Sequence, residues 1–275
     1  MSRGNRIQLK TPAEIEKMRV TCRVTAQGHK LVREIARPGI STLEIDRQVE
    51  KLVRDAGLIP AFQSVVAPGA PGPFGHTVCT SVNDEVVHGL PTERILKEGD
   101  ILKADMGAIH DGWYSDAAIT IPIGKVSPEA QKLIDVTRES LMRAIRLIKP
   151  GVRLRKLCGE IQRYVEVENN MFVVKAYVGH GLGRSLWEPP QVPNYVPKGW
   201  QAKELDITLQ PGLILAIEPM VNLGTELVRT DSDGWTVRTQ DGSLSAHFEH
   251  DVLVTETGYE VLTLLEGDPE KYPKN

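Results

Sequence analysis

One segment of this chain repeats another. RPGISTLEIDRQVEKLV (37–53) aligns without gaps on KPGVRLRKLCGEIQRYV (149–165). In each copy a Pro-Gly pair follows one helical stretch and introduces a second, and strand-like sequence comes after. A repeat of this kind predicts two structurally similar halves, each with two helices and several antiparallel strands. If the halves pack by pseudo-twofold symmetry, their sheets meet and leave a cleft that draws residues from both.

Local signals support that layout. Thr11-Pro-Ala-Glu14 reads as a capping box with proline at the first helical position, opening a helix that ends near 37–39. Ser41-Thr-Leu-Glu44 is a second box, followed by the apolar stripe Ile45, Val49, Leu52 and Val53, which closes at Gly57. Ser127-Pro-Glu-Ala opens a third helix that stops at 149–151, and a fourth is predicted over roughly 153–168. With 275 residues, 41% of them hydrophobic, the chain can bury a large core.

The stretch ADMGAIHDGWYSDAA (104–118) carries the first sign of chemistry. Asp111-Gly112 is a two-residue hairpin signal, because both turn positions need positive φ. That turn sets His110 against Trp113, Gly107 against Asp116, and Asp105 against Ala118. Asp105 and Asp116 then share a face with Gly107, Ile109, Tyr114 and Ala118. As diagonal neighbours the two carboxylates can reach one point, and two anions in such company need a cation. Two turn aspartates in water are the competing explanation.

Three further motifs join them. YVGHGLG sets His180 between glycines after an apolar run, where an ordinary buried histidine is the simpler alternative. GLILAIEPMV (212–221) reads as an apolar strand with one acid, Glu218, which is costly unless paired or metal-bound. SLSAHFEHDVLVTETG places Glu249 at a strand start, amid His247, His250 and Asp251. Four carboxylates and one imidazole at strands or Gly-rich strand ends would resist ionisation without compensation, and two divalent ions supply the matching charge. Oxygen-rich ligation with a single histidine favours Mn, Fe or Co, with Zn also admissible. Two such ions share a water and polarise a carbonyl, which argues for metal-assisted hydrolysis.

Other classes fit less well. A net charge of −3 and a pI near 6.2 give no nucleic-acid footprint. Cys22, Cys79 and Cys158 cannot form a disulfide framework and suit a reducing compartment. No apolar leader and no membrane-length run occur, so a cytoplasmic protein without a membrane partner is expected. No P-loop appears.

SVNDEVVHGLP (81–91), the Asp105/Asp116 pair, GHGLG (179–183), EPPQV (188–192), AIEPMV (216–221), DGWTVRTQDGSLSAHFEH (233–250) and TETG (255–258) occur in an order that closely resembles the bacterial type I methionine aminopeptidases. These belong to the creatinase/aminopeptidase family with the pita-bread fold. The resemblance runs from Thr11 to about Leu264, without the eukaryotic zinc-binding extension or the extra N-terminal domain of prolidases. It implies an α+β fold: two pseudo-symmetric halves, about 11–125 and 126–264, with a central antiparallel sheet backed by helices. Residues 1–275 are then one catalytic domain with a short tail, 265–275. The implied activity is hydrolysis of an N-terminal methionine when the second residue is small.

The resemblance also implies roles. Asp105 chelates one metal, Asp116 and Glu249 bridge both, and His180 and Glu218 hold the other, with Glu218 as proton shuttle. His88 contacts substrate at the scissile amide. Cys79, Phe74 and Trp235 fall where the family's methionine pocket lies. The implied cofactors are two divalent ions (Co, Mn, Fe or Zn). The substrate partner is a peptide or nascent-chain N-terminus, with the ribosome exit region a candidate partner and a monomer expected. One position departs: where the family has a second substrate-contacting histidine after GHGLGRS, this chain has Trp187. Cleavage before proline, by a related Xaa-Pro aminopeptidase or dipeptidase, is the alternative activity. A weakly active or non-catalytic binding protein on the same fold is the alternative class.

Overall fold

The computed structural model describes residues 7–67 and 69–264, so the tail 265–275 set apart above lies outside the described residues. Four helices form where they are predicted, the first three behind their caps: α1 (Pro12–Ile35), α2 (Thr42–Asp55), α3 (Pro128–Arg146) and α4 (Leu154–Gln162). Glu14 Oε2 accepts from the Thr11 backbone N–H at 2.8 Å, completing the return half of the first capping box. The second box is half made. Ser41 Oγ accepts from Glu44 N at 3.1 Å, but the Glu44 carboxylate accepts from Gln48 instead. The predicted fourth helix is shorter than expected, because after Gln162 it widens into a π-helical turn, Arg163–Glu168.

The repeat is visible as duplicated backbone hydrogen bonds. Gly39 N donates to Leu96 O at 2.9 Å, and Gly151 N donates to Leu209 O at 3.0 Å. Thr42 N to Arg94 O (3.0 Å) is matched by Leu154 N to Ile207 O (2.9 Å). Gly99 N to Ile123 O (2.9 Å) is matched by Gly212 N to Val254 O (3.0 Å). Asp105 and Glu218 stand equally far along the chain from Gly99 and Gly212. The two acids are therefore corresponding residues of the repeat.

A three-stranded antiparallel sheet carries Ile101–Met106 between Val78–Val82 and Ala117–Pro122. A five-stranded sheet orders Glu188–Val192, Gly179–Gly181, Ile214–Ile217, His250–Val254 and Tyr259–Val261. They join at one bridge, where Glu249 N donates to Ala118 O at 2.8 Å and Ala118 N to Glu249 O at 3.3 Å. The helices cover the other face through one continuous core that includes Val49, Ile101, Leu133, Ile161 and Leu215. No helix among the described residues is long and apolar enough to cross a membrane.

The hairpin keeps the predicted register. Asp105 pairs with Ala118, Ile109 with Tyr114, and His110 with Trp113. Asp111 and Gly112 turn the chain at φ of 50° and 74°, as a two-residue turn of this type requires. The apolar run 212–221 is not one strand. It breaks after Ile217, and Met220–Asn222 pairs in a different sheet with Ser245–His247. Pro219 has no N–H to give a ladder, so the switch falls there.

Candidate metal centre

Three of the expected ligands sit where the chain leaves one sheet for another. Asp116 lies between the strands Trp113–Tyr114 and Ala117–Pro122, Glu218 between Ile214–Ile217 and Met220–Asn222, and Glu249 between Ser245–His247 and His250–Val254. Such breaks re-aim a side chain that regular pairing would hold perpendicular to the sheet. Asp105 stays inside its strand, opposite both Cys79 and Ala118. His180 stays inside Gly179–Gly181, and its flanking glycines have a backbone reason. A Cβ at 179 would stand 2.3 Å from Ala216 O, and one at 181 would stand 2.4 Å from Pro189 O. Both neighbouring strands thus approach closely enough to present the imidazole between them.

One ligand atom each from Asp116, His180 and Glu249 lie within 4.8 Å of one another. His180 Nε2 is 3.7 Å from Asp116 Oδ2 and 3.6 Å from Glu218 Oε1. Asp105 lines the same cavity, as do all the other residues singled out in the sequence: His88, Cys79, Phe74, Trp187 and Trp235. The cavity holds about 90 Å³, and no lysine or arginine is among the described residues lining it.

The donor set fits a metal. His180 Nδ1 lies 2.9 Å from Gly181 O, a contact that requires the proton on Nδ1. Nε2 then turns a lone pair toward two carboxylates, an arrangement that a metal ion between them relieves. Asp105 Oδ1, Asp116 Oδ1 and Glu249 Oε1 are buried without a hydrogen-bond partner. Burial raises Asp105 to about 7, and burial with the neighbouring charges of Asp105, Asp251 and Glu218 holds Asp116 well above the usual carboxylate range. Glu249 is raised by burial and by Asp116 and Glu218, and Glu218 by burial and Asp105. Burial also lowers His180 to about 4, so its ring is neutral and able to ligate.

Asp251 was not singled out by the sequence as a site residue, yet it orients the cluster. Fully buried, its Oδ2 accepts from Asp116 N at 2.9 Å and from Cys22 Sγ at 3.4 Å, and burial raises it to about 8. Nothing in periodicity distinguishes it from the Val252–Val254 run that follows.

The apolar end of the cavity is one side-chain cluster: Phe74, Cys79 and Trp235 with Ala61, Phe62 and Leu186. Phe74 meets Trp235 edge-to-face at 5.2 Å and Phe62 at 6.5 Å. His88 bridges the two ends. It has φ of 58°, a rare conformation for a non-glycine residue, and its ring stands edge-on to Trp235 (6.4 Å) and Tyr177 (5.4 Å). Burial lowers it to about 4, so it is a neutral donor or acceptor. Phe62, Leu186 and Tyr177 escape a sequence reading, since each looks like ordinary core. Trp187 is different: it is 57% exposed at the rim.

These acids give the metal-free protein a pH dependence of definite sign. A carboxyl whose pKa rises from 3.8 unfolded to about 7 folded binds a proton that the unfolded chain has released. Its contribution to stability is therefore present below about pH 4 and lost as pH rises through about 7. Counting one unit only, at ~1.4 kcal/mol, the chelated protein is expected to melt about 3–6 °C lower at pH 8 than at pH 5. Divalent metal should abolish the difference. Calorimetry of chelated and metal-loaded protein checks this, and a chelated form more stable at pH 8 contradicts it.

Comparisons with known proteins agree with this geometry. The sequence pattern of metallopeptidase family M24 matches residues 16–256. Methionine aminopeptidase 1 of Bacillus subtilis is 45% identical over 254 residues, covering 92% of this chain and 98% of that protein. The crystal structure of a methionine aminopeptidase from Thermotoga maritima superposes with a TM-score of 0.87 at 42% identity, covering 94% of this chain and 100% of that one. A prolidase from Pyrococcus furiosus, 21% identical, covers 94% of this chain and 66% of its own at a TM-score of 0.71, which shows the shared fold alone. A pattern match over most of its length, and a relative this similar spanned almost from end to end, place the chain in the metallopeptidase family M24 with its pita-bread fold.

Proposed function

We propose that this protein is a metal-dependent aminopeptidase that hydrolyses the N-terminal methionine from peptides and nascent chains whose second residue is small. One observation carries the reading: a single cavity joins the carboxylate–His180 cluster to an apolar pocket of Phe62, Phe74, Cys79 and Trp235. An unbranched apolar side chain fills that pocket while the amide that follows it lies at the acids.

Asp105, Asp116, His180, Glu218 and Glu249 would hold two divalent ions, Asp105 serving one, His180 and Glu218 the other, and Asp116 and Glu249 both. When bound, they supply the charge that balances the four acids, polarise the carbonyl and acidify water. Glu218 takes the proton released by the attacking water and passes it to the leaving amine. His88, neutral beside Trp235, hydrogen-bonds the scissile amide and fixes its position. Phe74 and Trp235 exclude water around the methionine side chain. A bulky second residue clashes beside His88 and at the rim near Trp187.

Release of methionine from Met-Ala-Ser, abolished by a strong chelator and restored by Mn, Fe, Co or Zn, is the expected result. Equal release of many residue types, activity untouched by the chelator, or cleavage confined to Xaa-Pro peptides would each overturn the reading.

A further inference from the structure

His247 closes the strand Ser245–His247 behind the metal cluster and is 2% exposed. Both of its ring nitrogens are buried without a hydrogen-bond partner. A buried polar atom left unpaired costs on the order of 1–3 kcal/mol, so a ring with two of them calls for a reason. Nε2 lies 3.9 Å from Oε2 of Glu218, while Oε1 of the same carboxylate lies 3.6 Å from Nε2 of His180. The two oxygens of Glu218 thus face two histidines of opposite character. His180 keeps its proton on Nδ1 against the Gly181 carbonyl and offers only a lone pair. His247 has no such neighbour on Nδ1 and is free to carry its proton on Nε2.

The backbone under His247 is pinned. Its N–H donates to Thr120 Oγ1 at 2.9 Å, its carbonyl accepts from Thr120 Oγ1 at 2.7 Å, and its strand partner is Met220, just beyond Glu218. Besides Glu218, the titratable groups that act on it are His88 and Lys103, and the Lys103 ammonium is already engaged by Asn83 O at 2.7 Å. A closure of about 1 Å brings Nε2 into hydrogen-bond range of Glu218, the kind of tightening that catalytic contacts show when a site fills.

We propose that His247 is a positioning residue whose Nε2–H holds Oε2 of Glu218 and so fixes the carboxylate with Oε1 toward His180. The proposal rests on the aminopeptidase reading for the step that Glu218 performs. With one oxygen held by a donor, the carboxylate cannot rotate, and it keeps the orientation from which it takes the proton of water and hands it to the leaving amine.

The test uses the zinc-loaded protein and two variants of similar volume: His247→Gln, which keeps a donor, and His247→Met, which does not. On Met-Ala-Ser, His247→Gln should stay within about threefold of the wild-type kcat, and His247→Met should lose at least about tenfold. KM, zinc content and melting temperature should be unchanged in both. Equal kcat for the two variants overturns the proposal. So does a His247→Met variant that loses zinc or melts lower, since the residue is then a structural prop. The ¹⁵N-histidine spectrum gives a second readout that does not depend on turnover. The signal missing from His247→Gln should belong to an Nε2-protonated ring, and an Nδ1-protonated ring overturns the proposal. A wild type that releases no methionine defeats the functional reading instead, and the tautomer then decides the question of His247 alone.

Discussion

Glu249→Ala and Asp116→Ala are each expected to leave a folded chain that has lost its metal and its peptidase activity. Each of these carboxylates is proposed to serve both ions, so its removal opens both coordination shells. Changes to groups that only support a ligand cost about 10–100-fold in metal affinity, and loss of a shared ligand should cost at least the upper end of that range. The fold should survive, because Glu249 contributes to it through its backbone, which exchanges hydrogen bonds with Ala118 at 2.8 and 3.3 Å. The metal-free variants should even melt above the metal-free wild type, since one of four mutually repelling buried acids is gone. His88→Ala should behave in the opposite way, keeping its metal while turnover falls. Elemental analysis after dialysis against micromolar metal separates the cases. A metal-free His88→Ala protein, or a Glu249→Ala protein with its full complement, contradicts these roles.

Trp187→His is expected to raise kcat/KM on a Met-Ala peptide by at least about tenfold, or ~1.4 kcal/mol. The resemblance to methionine aminopeptidases places a substrate-contacting histidine at this position, and indole offers one N–H but cannot accept a proton. Losing a donor aimed at transition-state charge costs on the order of 2.7–4 kcal/mol. The structure makes the substitution a clean test. Trp187 is 57% exposed, so its removal leaves no cavity in the core. The chain on either side is anchored: Leu186 is buried, and Glu188 pairs with Lys10 at 2.8 Å and accepts from Arg184 N at 2.7 Å. The wild type should accordingly be slow on ordinary Met-peptides or shifted in its preference beside the cleavage point. A wild type with kcat/KM above roughly 10⁴ M⁻¹s⁻¹, and no faster as the histidine variant, shows that tryptophan is an alternative way to bind the same substrate.

The sequence by itself determined the parts of this protein that local chemistry decides. Thr11, Ser41 and Ser127 mark helix starts because a side-chain oxygen followed by helix-forming residues has few other uses. Asp111-Gly112 set the hairpin register, and with it the face shared by Asp105 and Asp116, because two positive φ angles admit few other residues. The ligand types stood out because carboxylates in apolar runs are costly and therefore visible.

What only the tertiary structure decided is how those side chains converge. A run such as 212–221 is buried on both sides of its break, so its hydrophobicity is continuous although the chain passes from one sheet to another. The break that aims Glu218 depends on which strands pair, and pairing is non-local. Asp251 and His247 were hidden for the same reason. Each is one of several polar residues crowded around Glu249, and what sets it apart is a partner more than twenty residues away, Asp116 for one and Glu218 for the other. Periodicity reports whether a position is buried, but only the packed fold reports what it is buried against.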